Sequence, residues 1–226
     1  MKTPVPPRRP LSEQAAVHDQ VYARLRDALI AGRIAPGRAL SLRSLAAELG
    51  VSPMPVRDAV RRLAAERALV VNPANKRLSV PRLEPDRLEQ VALARGWIEP
   101  ELAARAARRA DPALIAALIT ADAALDKAMS EGDMDGYMQA NRTFHFTLYR
   151  AAGAEVLLNM AETLWLQVGP FMRLVFERLG TMALPADRHQ EAIHALQAAD
   201  SEAARRAIAA DIAEGMEAMR QSENGA

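Results

Sequence analysis

The sequence predicts a mainly α-helical chain in two parts: an N-terminal winged helix-turn-helix with a small β-hairpin wing, and a C-terminal all-α antiparallel helical bundle. Three observations predict it. Residues 40–69 read as two short helices joined by a tight turn. Residues 70–80 place β-branched runs on both sides of Asn72-Pro73-Ala74-Asn75, which is a hairpin signal. From Asp86 onward helical periodicity returns without a convincing strand.

Taken in order, residues 1–12 hold four prolines and paired arginines and offer no apolar surface to bury, so a disordered tail is expected there. From Glu13 to Ala31 the spacing of Val17, Val21, Leu25, Ala28 and Leu29 marks an amphipathic helix that Gly32 ends. Ile34-Ala35-Pro36-Gly37 makes a turn into the helix pair. In its first helix Leu42, Leu45, Ala46 and Leu49 share a face, and Gly50 stands where a left-handed C-cap is needed. Val51 is expected as a buried turn residue, Ser52 as the next N-cap, and Pro53 at the first helical position. Val56, Ala59, Val60 and Leu63 form the apolar stripe of the second helix, and Arg57, Arg61 and Arg62 occupy its opposite face. A second helix with a basic outer face is the element that enters a DNA major groove in a helix-turn-helix. The hairpin tip carries Lys76 and Arg77, where phosphates of a bound duplex would lie.

These elements give a DNA-binding domain over residues 13–82, a hinge at Leu83-Glu84-Pro85-Asp86, and a bundle over residues 83–226. Five or six helices are expected in the bundle, punctuated at Asp111-Pro112, Glu131-Gly132-Asp133, Ala152-Gly153, Gly180 to Pro185 and Ala199-Asp200. Short connections make consecutive helices antiparallel.

Charge follows the same division. Residues 1–82 hold 15 Lys and Arg against 6 Asp and Glu, and residues 83–226 hold 14 against 22, so a net charge of +1 conceals a cationic front and an anionic remainder. A polyanionic partner for the front and a different task for the rest are implied. With no cysteine, disulfides and thiolate metal sites are excluded, which suits a reducing cytosol. The start has no signal-peptide core, and no run is long and uncharged enough to span a bilayer, so a cytoplasmic location without membrane contact is expected.

The run VYARLRDALIAGRIAPGRALSLRSLAAELGVSPMPVRDAVRRLAAERALVV, with PG, LAxxLGVS and PVRxAxRRL in order, resembles the winged helix of GntR-type transcriptional regulators. ARGWIEPELAARAA, NRTFH and HQEAIHALQAAD followed by AARRAIAAD resemble the FCD ligand-binding domain of the FadR-like branch. The resemblance implies DNA contacts from Arg43, Ser52 and Arg57, with Lys76 and Arg77 on the wing. A helix N-terminus with a hydroxyl suits a phosphate, and arginine can pair bidentately with guanine. The family has Arg and Thr where this chain has Pro53 and Met54, and Gly where Arg77 sits; Met54 is placed to touch a thymine methyl instead.

The FCD pattern also implies a metal, held by an Asp and a His on one helix face and by two later histidines. The aligned positions here are Asn141, His145, His189 and Asp211, so an amide stands where the Asp is usual and a carboxylate where the last His is usual. Two imidazoles and a carboxylate suit a divalent ion such as Zn²⁺, Ni²⁺, Mn²⁺ or Fe²⁺; hydrogen-bonded core histidines are the other reading. His18 and His194 are not favoured ligands. Arg95 and Glu99 fall where the family has an Arg and a Glu, and Arg95 is expected to orient a small organic carboxylate, with an ordinary i,i+4 surface pair as the alternative. Met134, Met138, Met160, Trp165, Phe171 and Met172 could line an apolar pocket, although helix core is the commoner role of such residues.

Together these features point to a homodimeric, ligand-responsive DNA-binding regulator, most often a repressor in families of this look, acting on a near-palindromic operator. It is not expected to be an enzyme. A metal-dependent enzyme on a helical bundle and a ligand-independent DNA binder remain the alternatives.

Overall fold

The computed structural model describes residues 11–75, 77–179 and 188–224. Lys76, residues 1–10 of the tail expected over 1–12, and the punctuation from Gly180 to Pro185 lie outside the described residues; Leu11 and Ser12, expected in the tail, begin the first helix instead. The chain divides into two compact units, one holding residues 1–28 and 37–81 and the other residues 29–36 and 82–226.

The first unit is built on α1 (Leu11–Ile30), α2 (Leu42–Leu49), α3 (Pro53–Ala65), β1 (Val70–Val71) and β2 (Leu78–Ser79). The end of α1 and the turn that follows count with the second unit. Gly50 ends α2 at φ 67°, a conformation a side chain would oppose. Its N–H bonds to the Ala47 carbonyl at 3.2 Å and the Val51 N–H to Ala46 at 3.0 Å, so both orphaned carbonyls are satisfied. Val56, Ala59, Val60 and Leu63 are all buried, against Val21 and Leu25 of α1 and Leu45 and Ala46 of α2 in the core of this unit. Val51 is half-buried rather than buried, because the left-handed residue before it turns the chain outward.

The hairpin pairs Val70 with Ser79 and Val71 with Leu78. Leu40 adds a third rung: its N–H donates to the Leu78 carbonyl and its carbonyl accepts from the Leu78 N–H, both at 2.8 Å. The next residue, Ser41, caps α2 by a reciprocal pair of bonds with Ser44.

The second unit contains α4 (Pro85–Ala107), α5 (Pro112–Glu131), α6 (Met134–Ala151), α7 (Glu155–Leu179), α8 (Arg188–Gln197) and α9 (Ser201–Asn224). Asp111 caps α5 through the Leu114 N–H at 2.7 Å, and Asp133 caps α6 through the Gly136 N–H at 3.0 Å. The most extensive packing joins α4 to α9, α5 to α6 and α8 to α9. Leu102, Ala103, Phe144, Leu148, Leu166 and Ile208 are fully buried at the centre. Gly169 lets α7 approach the turn after α1: a Cβ there would meet the Ile30 carbonyl oxygen at 2.6 Å.

Leu63, with no exposed surface, is the central contact of the first unit. Leu63→Ala is expected to cost about 2–5 kcal/mol through lost burial and the cavity left behind. The loss will appear as a lower urea midpoint of that unit followed by circular dichroism; an unchanged midpoint would contradict this packing.

Candidate functional site

Two sets of residues carry chemistry, one in each unit. On the first unit Arg43, Ser52, Arg57 and Arg77 are exposed, and Met54 is 59% exposed at the start of α3. No ion pair is formed by Arg43, Arg57 or Arg61 among the described residues. Arg62 behaves differently from its expected role on the open basic face. It reaches back to α1, pairing with Asp19 at 2.9 Å and lying 3.7 Å from the Tyr22 ring centroid, because its position on α3 faces that helix. Ser52 stands at the N-cap of α3 but its hydroxyl makes no capping bond, so the expected cap is not formed and the hydroxyl remains exposed.

The wing tip is stiffened locally. Asn72 Oδ1 accepts from the Ala74 N–H at 2.9 Å, and Asn75 Oδ1 accepts from the Arg77 N–H at 3.0 Å. Such turns fix the backbone from which Arg77 projects. The result is an exposed cationic surface running from α2 through α3 to the wing.

In the second unit, three helices bring together residues far apart in sequence. His145 on α6, His189 on α8 and Asp211 on α9 present ligand atoms within 4.8 Å of one another. His145 Nε2 lies 3.3 Å from Asp211 Oδ2 and 3.3 Å from His189 Nε2. Asn141, one turn before His145, is buried and lines the same cavity of about 30 Å³, together with Arg95, Tyr137 and Trp165. That volume accommodates about one water molecule.

The surroundings of the imidazoles decide where their protons sit. His145 Nδ1 is 3.0 Å from the Tyr149 hydroxyl, and that hydroxyl donates its own proton to Glu99 Oε2 at 2.7 Å. Burial and then Glu99 push the Tyr149 pKa well above the ordinary phenol value, so the proton stays on the oxygen. The hydroxyl oxygen can therefore only accept from His145, which places the proton on Nδ1 and the lone pair on Nε2. Burial, His189 and Arg95 in turn hold the His145 pKa well below its ordinary value and keep the ring neutral. His189 Nδ1 faces Asp122 Oδ1 at 3.2 Å.

Glu99 is the hub of this site. It has no exposed surface and accepts from Arg95 Nε at 2.6 Å, Arg95 Nη2 at 3.2 Å, Tyr149 and Trp165 Nε1 at 3.0 Å. Burial alone would lower the Arg95 pKa, but Glu99 raises it overall. The Arg95–Glu99 pair is thus a buried pair rather than a surface one. Arg95 Nη1 meets the Met216 sulfur at 3.4 Å, a weak acceptor.

Of the expected apolar pocket, Met138 and Phe171 are core, Trp165 and Met172 line the cavity, and Met160 is 48% exposed. Sequence reasoning missed Asp122 and Tyr149, and it gave Trp165 as a pocket or core residue but not as a donor to Glu99. A buried Asp in mid-helix was the available signal at Asp122, but burial is not visible in the residue itself.

Residues 17–75 match the model of bacterial regulatory proteins of the gntR family, and residues 90–214 match that of the FCD domain. The chain is 32% identical over 194 residues to the HTH-type transcriptional regulator McbR of Escherichia coli strain K12, covering 84% of this chain and 86% of that protein. It is 25% identical over 211 residues to the transcriptional repressor RspR of the same strain, covering 93% and 92%. The structure of E. coli McbR/YncC superposes with a TM-score of 0.80 at 29% identity, over 91% of this chain and 97% of that one. A putative GntR regulator from Rhodococcus superposes with a TM-score of 0.71 at 22% identity, over 93% and 99%, a likeness of fold. In this second unit no described helix is long and apolar enough to cross a membrane, and the same holds for the first.

Glu99→Gln removes the countercharge of a buried guanidinium. The expected cost is about 3–5 kcal/mol, read as a lower urea midpoint of the bundle; equal midpoints would show that the pair does not support the fold.

Proposed function

Because this chain belongs to the GntR family of bacterial regulatory proteins and carries an FCD domain, we propose that it is a homodimeric, cytoplasmic repressor whose grip on a near-palindromic operator is set by a small carboxylate and a divalent metal. Its place as a DNA-binding transcriptional regulator follows from the family; the effector, the metal, the dimer and the sign of regulation are the proposal.

The observation that carries the sensing half is the convergence of donor atoms in the bundle: His145, His189 and Asp211 bring one ligand atom each within 4.8 Å of one another. Two imidazole nitrogens and a carboxylate oxygen at that spacing form a set that a divalent cation can join. The donor set fits Zn²⁺, Ni²⁺, Mn²⁺ or Fe²⁺: His145, His189 and Asp211 would hold the ion, with Asn141 beside them as a weaker oxygen donor. The ion would supply a positive centre for the carboxylate oxygens of an effector, and Arg95, which lines the cavity, would orient the acid. A cavity of about 30 Å³ does not admit an organic acid. The effector therefore requires a wider arrangement of the helices, and it favours that arrangement by binding it more tightly.

For the DNA half, Arg57 and Met54 face base edges in this reading, while Arg43, Ser52, Lys76 and Arg77 hold phosphates. Dimerisation is supported by a face between α4 and α9. Trp97 stands 73% exposed and Leu93 48% exposed beside a groove of about 690 Å³ floored by Ala92, Gly96 and Ala213. A protruding aromatic next to a hollow of small residues is self-complementary, as a twofold interface requires. Glu89 and Arg220 on its rim offer cross-pairs.

Fluorescence anisotropy with a duplex selected by the protein from genomic fragments tests the DNA half. Arg57→Ala is expected to weaken binding by about 1–3 kcal/mol and relax sequence preference, whereas Arg77→Ala weakens all duplexes alike and lowers the salt slope by about one. Wild-type protein that binds no duplex at low salt would overturn the reading. Removing metal with EDTA is expected to lower the melting temperature, and Zn²⁺ at about 100 times its Kd to return about 2.7 kcal/mol; no change on stripping or reloading would remove the metal from the account. Trp97→Glu is expected to turn a dimer into a monomer in light scattering, and an unaltered mass would place the interface elsewhere.

A further inference from the structure

The metal reading leaves unexplained why a chain that buries so little charge should bury Asp122, a carboxylate on α5 that is 2% exposed and that the ligand set does not use. Its two oxygens are spent on α8: Oδ1 lies 3.2 Å from His189 Nδ1, and Oδ2 accepts from the Gln190 amide. A carboxylate oxygen in this position accepts from the ring, an arrangement that puts the His189 proton on Nδ1 and its lone pair on Nε2. Phe144 stacks on the His189 ring with centroids 3.9 Å apart and planes at 14°, which fixes the ring's tilt as Asp122 fixes its rotation.

His145 is governed in the same way by a different device. Arg95 holds Glu99, Glu99 takes the Tyr149 proton, and the Tyr149 oxygen accepts from His145 Nδ1. Both imidazoles thereby turn their Nε2 lone pairs toward one point, 3.3 Å apart, with Asp211 Oδ2 at 3.3 Å from one of them. Three such atoms at these distances form a set that a divalent cation can join.

We propose that Asp122 and Tyr149 are the positioning residues of this metal centre: each locks one histidine in the tautomer whose Nε2 can bind a divalent cation, so that two histidines and one relocated carboxylate suffice where a fourth strong ligand is lacking. The inference rests on the reading of the bundle site as a metal centre. Hydrogen-bonded partners of ligating histidines commonly change metal affinity by about 10–100-fold. Their effect here is on orientation and on which nitrogen is free, since neither residue supplies a ligand atom to the cluster.

The test uses full-length protein stripped of metal and titrated with Zn²⁺ by calorimetry, alongside ¹⁵N-histidine NMR of the metal-free state, where four histidines make a sparse spectrum. Wild type is expected to bind Zn²⁺ with both rings protonated on Nδ1 beforehand. Asp122→Asn, whose amide can turn its NH₂ toward His189, is expected to bind about 10–100-fold more weakly and to show His189 partly protonated on Nε2. Tyr149→Phe should do the same to His145, and it carries the test if the Asp122 variant does not fold. Wild type that binds Zn²⁺ while both variants bind within threefold of it, with unchanged tautomers, would overturn this inference and leave the metal reading standing. Wild type that takes up neither Zn²⁺, Ni²⁺ nor Mn²⁺ would overturn both.

Discussion

One carboxylate, that of Glu99, sets the terms for the second unit. It lies beyond reach of water, where Arg95 on its own helix supplies a countercharge and two neighbouring helices each send one donor. A buried ion of this kind tolerates little displacement. The rotations of α4, α6 and α7 about their axes are therefore coupled: Tyr149 and Trp165 must face Glu99 together, and His145, one turn before Tyr149, is carried into the cavity with them. Apolar packing brings these helices close, and the carboxylate selects which faces meet.

The polar cluster that results is a single connected network rather than separate ion pairs. From Arg95 it passes through Glu99 and Tyr149 to His145, then to His189, and ends on α5 at Asp122. Four helices, α4, α6, α8 and α5, contribute to it, and α9 joins through Asp211. A change at the cavity is consequently felt by every helix of the bundle that the network touches, which is the physical requirement for a small ligand to influence a distant surface.

Much of this was legible in the residues. The stripe of α3, the left-handed glycine after α2, the hairpin around Asn72 to Asn75 and most of the bundle punctuation depend on local chemistry, and local chemistry is what a sequence records. Family spacing gave Asn141, His145, His189 and Asp211, and the last three do converge. What could not be read depends on distance along the chain. Arg95 and Glu99 look the same as a solvated i,i+4 pair until burial is known. Asp122 and Tyr149 acquire meaning only from helices 67 and 50 residues away from them in the sequence. Arg62 looks as open as Arg57 until α1 is laid across it, and Ser41 with Ser44 was the serine pair that capped a helix, whereas Ser52 was not.

The extra rung that Leu40 adds to the hairpin has a mechanical consequence. Two bonds tie Leu40 to Leu78 of the wing, and Ser41, the very next residue, is the cap on which α2 begins. Wing and helix pair thus share one backbone joint, like the jaws of a calliper. A joint of this kind sets the distance between the two elements, and any duplex laid against both would be selected for the width of its grooves as well as for its bases.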